Sequence, residues 1–435
     1  MKNFYHLLAN SLIASITNFT VWFALVFYAY LQTQSVLVTG VISGLYLVAI
    51  ALSGFWFGSL VDHYNKKKLL IASSFLSLIA YASGLAIYLT NSGETFANQT
   101  SPVLWLLIVI LMFGVVLGGI RNITVPTIVT IIAPVDQRDR ANGLVGTTSG
   151  ISFLITSVIS GLLVGSSGLY WVLILSLIAT SISIFDLSFI SIPEIPQVKS
   201  SDQSAPKNMD VRGTIKLIMS IPGFMALIAF TTFNNFLGGV FMALMDAYGL
   251  SLVSVEIWGL IWGGLSTGFI IGGLLISKFG LGKNPLYTLF AANLVIWTVS
   301  SLFTLQSSIV LLVIGMFIYL TIVPFIEAAE QTIIQKVVPQ ERQGRVFGFA
   351  HSVEQAASPL TAFFIGPLTQ MVFIPFMTTG AGIDLIGSWF GTGADRGIAL
   401  VFTLTGVLGL LITILARRSQ ATHQLAKAYI DHPGN

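Results

Sequence analysis

Apolar runs long enough to cross a bilayer recur along this chain about once every 36 residues. A membrane-spanning helix needs about 20 consecutive apolar residues, and between the polar loops lie twelve such stretches: 8–31, 36–61, 69–90, 102–126, 141–165, 168–190, 222–248, 255–277, 285–305, 308–336, 346–377 and 397–416. A spanning backbone must satisfy its own hydrogen bonds, so only helices or a closed barrel remain. The runs 104–119 and 309–323 are continuous rather than alternating, which excludes a barrel. Of the 435 residues only 9% are charged, against about 25% in soluble domains, which excludes a conventional soluble enzyme. There is no cysteine, hence no disulfide, thiolate metal site or thiol nucleophile. The five histidines show no metal-ligand spacing, no Walker motif is present, and the glycine-rich 391–397 follows no strand. The chain is therefore expected to be no enzyme, to hold neither cofactor nor metal, and to bind no nucleic acid.

The one long polar segment, 191–216, carries Pro193, Glu194, Pro196, Lys199, Asp202, Lys207, Asp210 and Arg212, a composition that does not build a core. It divides the chain into a six-helix bundle (1–190), a linker (191–216), a second six-helix bundle (217–417) and a tail (418–435). If both termini and the linker share the cytoplasmic side, every Lys and Arg lies there except Arg121, inside a span, and Arg396, in an outer loop. The positive-inside rule then fixes the orientation. The first apolar run, 7–31, is read as an uncleaved helix rather than a signal peptide. The halves repeat: Thr127, Pro134, Arg140, Gly143 and Gly161 recur 205 residues later as Thr332, Pro339, Arg345, Gly348 and Gly366, and Gly58 corresponds to Gly273. Such repeats place substrate between the halves near the midplane and let one half rock against the other.

Between the second and third runs stands Gly58-Ser-Leu-Val-Asp62-His63-Tyr-Asn65-Lys66-Lys67-Lys68. Glycine, aspartate four residues on and then a basic cluster resembles the loop signature of the major facilitator superfamily, and the resemblance extends over all twelve spans and the linker. It implies an all-α membrane fold of two pseudo-symmetric six-helix bundles. It also implies that Asp62 binds the N-terminus of the eleventh helix near Arg345, closing the cytoplasmic side, so Gly58, Asp62, Lys66, Lys67, Arg140 and Arg345 are expected to form a conformational latch. The pattern departs at His63 and Asn65, and Ser277 replaces the aspartate in the second half, so the latch is expected to be one-sided. The turns at 134–143 and 339–348 resemble those of the bacterial drug-efflux branch that includes macrolide exporters. The fifth-helix exporter signature is not intact, with Thr156-Ser157 and Ser160-Gly161 in its place.

An ionisable side chain inside a bilayer costs several kcal/mol and is a functional candidate by default. Glu327 and Glu330 are three residues apart and share a face of the tenth helix. Arg121 falls at the repeat position beside Glu327, since 121 plus 205 is 326. The expectation is that the glutamates couple proton binding to rocking, with Arg121 as counter-charge; the alternative is structural pairing within a bundle. His351 and Glu354, nearly one turn apart on the eleventh helix, are either a proton relay or solvated gate residues. Asp186, Asp246 and Glu256 are expected to snorkel, and the tail to lie in the interface as an anchor.

The resemblance turns the first and seventh helices to the central cavity. There Asn18, Trp22 and Tyr28, with Thr231, Asn234 and Asn235, suit a large amphiphile needing few hydrogen bonds and much apolar contact. Gly264, Gly268 and Gly272, and likewise Gly146 and Gly150, form small-residue ladders where helices of the two halves are expected to meet. The sequence reading is a monomeric secondary transporter in the bacterial inner membrane, exporting amphiphilic drug-like compounds by proton antiport. A lipid or siderophore-type transporter without proton coupling, and a non-transporting receptor on the same fold, stay open as alternatives.

Overall fold

The computed structural model describes residues 2–33, 36–193 and 211–431; most of the expected linker, 194–210, and the last four residues of the tail lie outside the described residues. All regular structure among the described residues is helical. The long helices are α1 (Lys2–Thr33), α2 (Val36–His63), α3 (Lys66–Thr90), α4 (Pro102–Gly118 continued by Arg121–Ile132), α5 (Arg138–Ser167) and α6 (Tyr170–Phe189) in the first half. The second half holds α7 (Phe224–Leu252), α8 (Val255–Phe279), α9 (Pro285–Leu302), α10 (Ile309–Val337), α11 (Gln343–Leu368) and α12 (Ala394–Arg418), followed by α13 (Gln420–Asp431). Eleven described segments have the length and hydropathy to cross a membrane, and α5, packed on α1 and α8, completes the set of twelve.

Local chemistry sets several boundaries. Asn65 accepts from the Lys68 amide and starts α3, Asn284 accepts from the Leu286 amide beside Pro285 at the start of α9, and Ser308 accepts from the Leu311 amide to start α10. Helix α4 breaks at Gly119 and Ile120, where amides bond three residues back. Close by, Pro126 withholds an amide from the Asn122 carbonyl, and the Asn18 side chain lies against Gly118.

Asn3 donates to the Ser191 carbonyl and Lys67 to that of Ser188, so the chain's start, the loop after α2 and the end of α6 share one side, here called the linker end. The opposite side is the loop end. The repeat seen in the sequence is reproduced in geometry. Pro134 and Pro339 each lead into a single 3₁₀ turn, closed by Gln137 and Arg342 at φ −120°, ψ 1° and φ −122°, ψ 1°.

The apolar core shows how the halves meet. Toward the loop end there are two separate clusters, one within the first half around Tyr28, Tyr81 and Leu107, the other within the second around Tyr248, Trp297 and Phe402. Toward the linker end a single cluster joins Phe57, Val61 and Ile120 to Ile276, Ile333 and Val346 across the halves. The two bundles are therefore packed together at the linker end and apart at the loop end.

Three expectations change. The tail is tied to the bundle rather than held by the interface alone: α13 buries Leu425, Ala426 and Tyr429 against the second half, and Lys336 stands 4.2 Å from the Tyr429 ring. Residues 211–216 belong to a helix, Val211–Ser220, with Thr214 and Ile218 buried. Arg396 is no exposed loop residue. It is 2% exposed, donates to the carbonyls of Phe390, Thr304 and Leu305, and lies 4.2 Å from the Phe390 ring, where it ties the loop end of the second half together.

Candidate functional site

The interface between halves is built from glycine. A β-carbon on Gly58 of α2 would sit 2.5 Å from the Gly344 carbonyl of α11, and one on Gly273 of α8 would sit 2.6 Å from the Gly143 carbonyl of α5. These are the two repeat-related helix pairs, and backbone touches backbone in both. Gly150 also faces α8, and Gly146 faces Pro324 of α10. The ladder on α8 behaves differently from its expectation: Gly268 and Gly272 pack on Thr321 of α10 within their own half, and a β-carbon on Gly264 would meet open space.

Across this interface Asp62 accepts from the amides of Gly344 at 2.6 Å and Arg345 at 3.0 Å, and its Oδ2 lies 3.4 Å from Arg345 Nε. An anion at a helix N-terminus meets unpaired amides and the positive end of the helix dipole. His63 is part of the same contact. Its Nδ1 lies 2.8 Å from the Ser59 carbonyl and its Nε2 2.9 Å from Arg345 Nη2, so Nδ1 carries the proton and Nε2 accepts. Lys66 reaches the Val61 carbonyl, while Lys67 turns away to α6.

Arg140, grouped with this latch from the repeat, is exposed. Its neighbour Asp139 instead accepts from the Leu281 amide at 2.7 Å, in the turn after α8 where Gly280 takes φ +71°. The second half thus has a latch of reversed polarity, with the carboxylate on the α5 start and the amide on the loop. A third contact is wholly buried. Arg138 donates to the Thr130 carbonyl and, across the halves, to the Gln335 carbonyl, while Asn142 donates to Thr332 Oγ1 and Gln335 Oε1. Gln335 in turn donates to the Pro126 carbonyl. Sequence reasoning missed Asp139, Arg138, Asn142 and Gln335. The available signal was Arg138 and Asn142 four residues apart, on one face beside the repeated turn.

Further from the linker end, within the second half, two of the acidic residues meet. Glu330 of α10 and Glu354 of α11 meet at Thr231 of α7, whose Oγ1 lies 2.6 Å from Glu354 Oε1, 3.3 Å from Glu330 Oε1 and 3.1 Å from the Ile228 carbonyl. A hydroxyl has one proton to give. With both carboxyls ionised, three acceptors would compete for that proton. One added proton resolves the arrangement, because a protonated carboxyl donates to Oγ1 and the hydroxyl donates to the other. Glu327, one turn along α10, has an open side, and its charge and that of Glu354 repel. His351, three residues before Glu354, is half-buried.

Arg121 is not among them. It is buried within the first half and donates to the hydroxyls of Ser11, Ser74 and Ser183 at 3.3 to 3.4 Å, on α1, α3 and α6. Asn10 bonds both Ser183 and Asp186, so Asp186 is anchored rather than snorkelling. Asp246 is likewise held, by the indole N–H groups of Trp258 and Trp262; the Glu256 side chain lies outside the described residues. Of the cavity candidates, Asn18 is used inside the first half, donating to the Val115 carbonyl and accepting from Tyr81. Tyr28 is buried against Tyr88 and Phe96, and Asn234 accepts from Trp297. Trp22 stacks on Tyr46 with ring centres 3.8 Å apart, both half-buried, and Asn235 stays half-buried one turn from Thr231.

Residues 7–362 match the family model described as Major Facilitator Superfamily. The chain is 23% identical over 366 residues to macrolide efflux protein A of Streptococcus pyogenes, covering 82% of this chain and 87% of that protein. It is 22% identical over 312 residues to macrolide efflux protein A of Enterococcus faecalis, covering 70% and 92%. Among solved structures it resembles a bacterial homologue of the iron transporter ferroportin in an outward-facing state, with TM-score 0.70, 14% identity and coverage of 96% and 100%. It also resembles the proton:xylose symporter XylE, with TM-score 0.68, 12% identity and coverage of 95% and 96%.

Proposed function

The chain belongs to the Major Facilitator Superfamily, and on that premise we propose that this transporter exports amphiphilic, drug-like compounds across a bacterial inner membrane in exchange for protons. The observation that carries the proton step is the Glu330, Thr231 and Glu354 arrangement, which accommodates one proton between two carboxyls within the second half. In this reading the linker end and both termini face the cytoplasm, by the placement of Lys and Arg. The structure then corresponds to a state closed to the cytoplasm, held by Asp62, Asp139 and the Gln335 network. The two bundles rock about this interface, a proton arriving from outside occupies the carboxyl site, and its release inside accompanies uptake of the next substrate. The substrate class is supported by the named function of the macrolide efflux relatives.

The test is transport of a lipophilic fluorescent cation and of a macrolide into energised inverted vesicles at imposed pH gradients. Transport is expected to follow the gradient, to be lost in Glu330→Gln and Glu354→Gln, and to persist at reduced rate in Glu327→Gln. Gradient-independent transport, or undiminished gradient-driven transport in the Glu330→Gln/Glu354→Gln double variant, would overturn the proton assignment.

A further inference from the structure

A pocket of about 440 Å³ opens at the linker end, away from the space between the halves, and is lined by Leu294 of α9, Ile414, Arg417 and Arg418 of α12, and His423 of α13. Packing of Gly409 on Trp297 and Gly406 on Ser301 sets the antiparallel register of α12 on α9. That register places Ile414 about one turn, roughly 5 Å, and Leu294 about one and a half turns, roughly 7 Å, deeper than the arginines. The pocket is therefore basic at its mouth and apolar in its depth. Arg417, Arg418 and His423 are exposed, and Lys427, one turn beyond His423, adds a further cation. Among the described residues no carboxylate forms an ion pair with any of them. Beside the pocket, Leu408, Leu411 and Leu415 of α12 project outward with exposures of 44%, 54% and 65%, a stripe that belongs against acyl chains.

We propose that this pocket is a binding site for an anionic phospholipid, with the phosphate held by Arg417, Arg418 and His423 and an acyl chain laid against Ile414 and Leu294. Arginine pairs with phosphate through a planar fork of donors, and basic pockets between helices at a membrane face take acidic head groups. A free phosphate would use the mouth and leave the apolar depth unfilled. A membrane lipid uses both. The wedge of α12, α9 and α13 also gives the bound lipid a structural consequence, because α13 packs its other face on the second half through Leu425 and Tyr429. The inference rests on the chain's crossing the membrane and is independent of what it transports.

The experiment uses the full chain in mixed micelles containing phosphatidylglycerol or phosphatidylcholine. Bound lipid is counted by native mass spectrometry, and the thermal midpoint is followed by tryptophan fluorescence. Phosphatidylglycerol is expected to be retained and to raise the midpoint, and phosphatidylcholine is not. Arg417→Gln/Arg418→Gln should weaken phosphatidylglycerol binding about 30-fold, taking roughly one power of five per basic residue at a membrane face. Lys278→Gln/Lys283→Gln, which removes equal charge elsewhere at the same end, should leave binding unchanged. If the double arginine variant does not fold, Leu294→Trp tests the same site by filling its depth and should also expel the lipid. Equal retention of the two lipids, unchanged binding in the arginine and Leu294 variants, or full reproduction of the stabilisation by inorganic phosphate would overturn the proposal.

Discussion

Replacing Asp62 by Asn should unfasten the linker end by an amount that the geometry sets. The carboxylate is 3% exposed and accepts two amides, at 2.6 and 3.0 Å, beside a guanidinium nitrogen at 3.4 Å. Asparagine keeps one acceptor oxygen and presents an NH₂ to the other amide, so one bond is lost and the charge that strengthened the second is removed. Hydrogen bonds to charged groups contribute about 1.5–3 kcal/mol each and an anion at a helix N-terminus about 0.3–1. The closed state should lose about 2–3 kcal/mol, which raises the open population about 30- to 150-fold. The absence of native cysteine makes this measurable without background. Ser352 is 1% exposed and pressed against Gly54 across the halves, so Ser352→Cys can react with a bulky thiol reagent only when the linker end opens. The labelling rate with and without Asp62→Asn, in a parent whose single thiol comes from Ser352→Cys, reads the ratio of open populations. A rise below about threefold would mean that the amide contacts contribute little to closure, against the charged-bond magnitudes, and the latch reasoning would be wrong.

Asp139→Asn breaks one amide contact at a half-exposed site and should raise the same labelling rate about tenfold, multiplying the Asp62 effect because the two latches sit on different helix pairs. Gly58→Val should prevent closure altogether, since its side chain would meet the Gly344 backbone; Ser352→Cys should then label at a rate that no longer responds to Asp62→Asn. Arg396→Met strands the carbonyls of Phe390, Thr304 and Leu305, and should lower stability by about 3 kcal/mol or more. A thermal midpoint no lower than that of Arg418→Met would contradict it.

What the sequence made legible was local or periodic. Apolar length gave the spans, the 205-residue repeat gave two superimposable turns, and the Gly58 to Lys68 segment gave the Asp62 contact. What it could not give was helix rotation. The sequence pairs Glu330 with Glu327 because both lie on one helix, but the groups it meets are Thr231 of α7 and Glu354 of α11. Arg121 was set beside Glu327 by the repeat, which assumes equal helical phase in the two halves. Helix α4 breaks at Gly119 and α10 carries on, and a turn bonded three residues back advances the chain by about 120° per residue instead of about 100°. That offset helps turn Arg121 into the first bundle. Asp139 is not legible because the repeat points to an aspartate equivalent to Asp62 at Ser277, whereas the second latch exchanges the roles of carboxylate and amide between loop and helix.

The proposed proton site and the first latch are joined by one rigid element. Helix α11 offers the Gly344 and Arg345 amides to Asp62 and, ten residues or about 15 Å further on, the Glu354 carboxyl to Thr231 and Glu330. Removing the shared proton would leave two carboxylates facing a hydroxyl that can satisfy only one, which favours separation of α11 from α10. Between the two points the helix is uninterrupted, its first proline being Pro359, so a displacement at Glu354 must be carried to its N-terminus rather than absorbed by a bend. At that N-terminus the amides are held by a carboxylate on the other half. Gaining the proton and releasing the latch therefore act on the same body: a shared proton draws α11 toward α10 and away from α2, the direction exchange requires, because the protonated carrier must open inward. Glu354→Gln, which keeps the hydrogen bond to Thr231 without the charge, should speed Ser352→Cys labelling relative to the parent, and slower labelling would show that the two sites are not connected through α11 in this way.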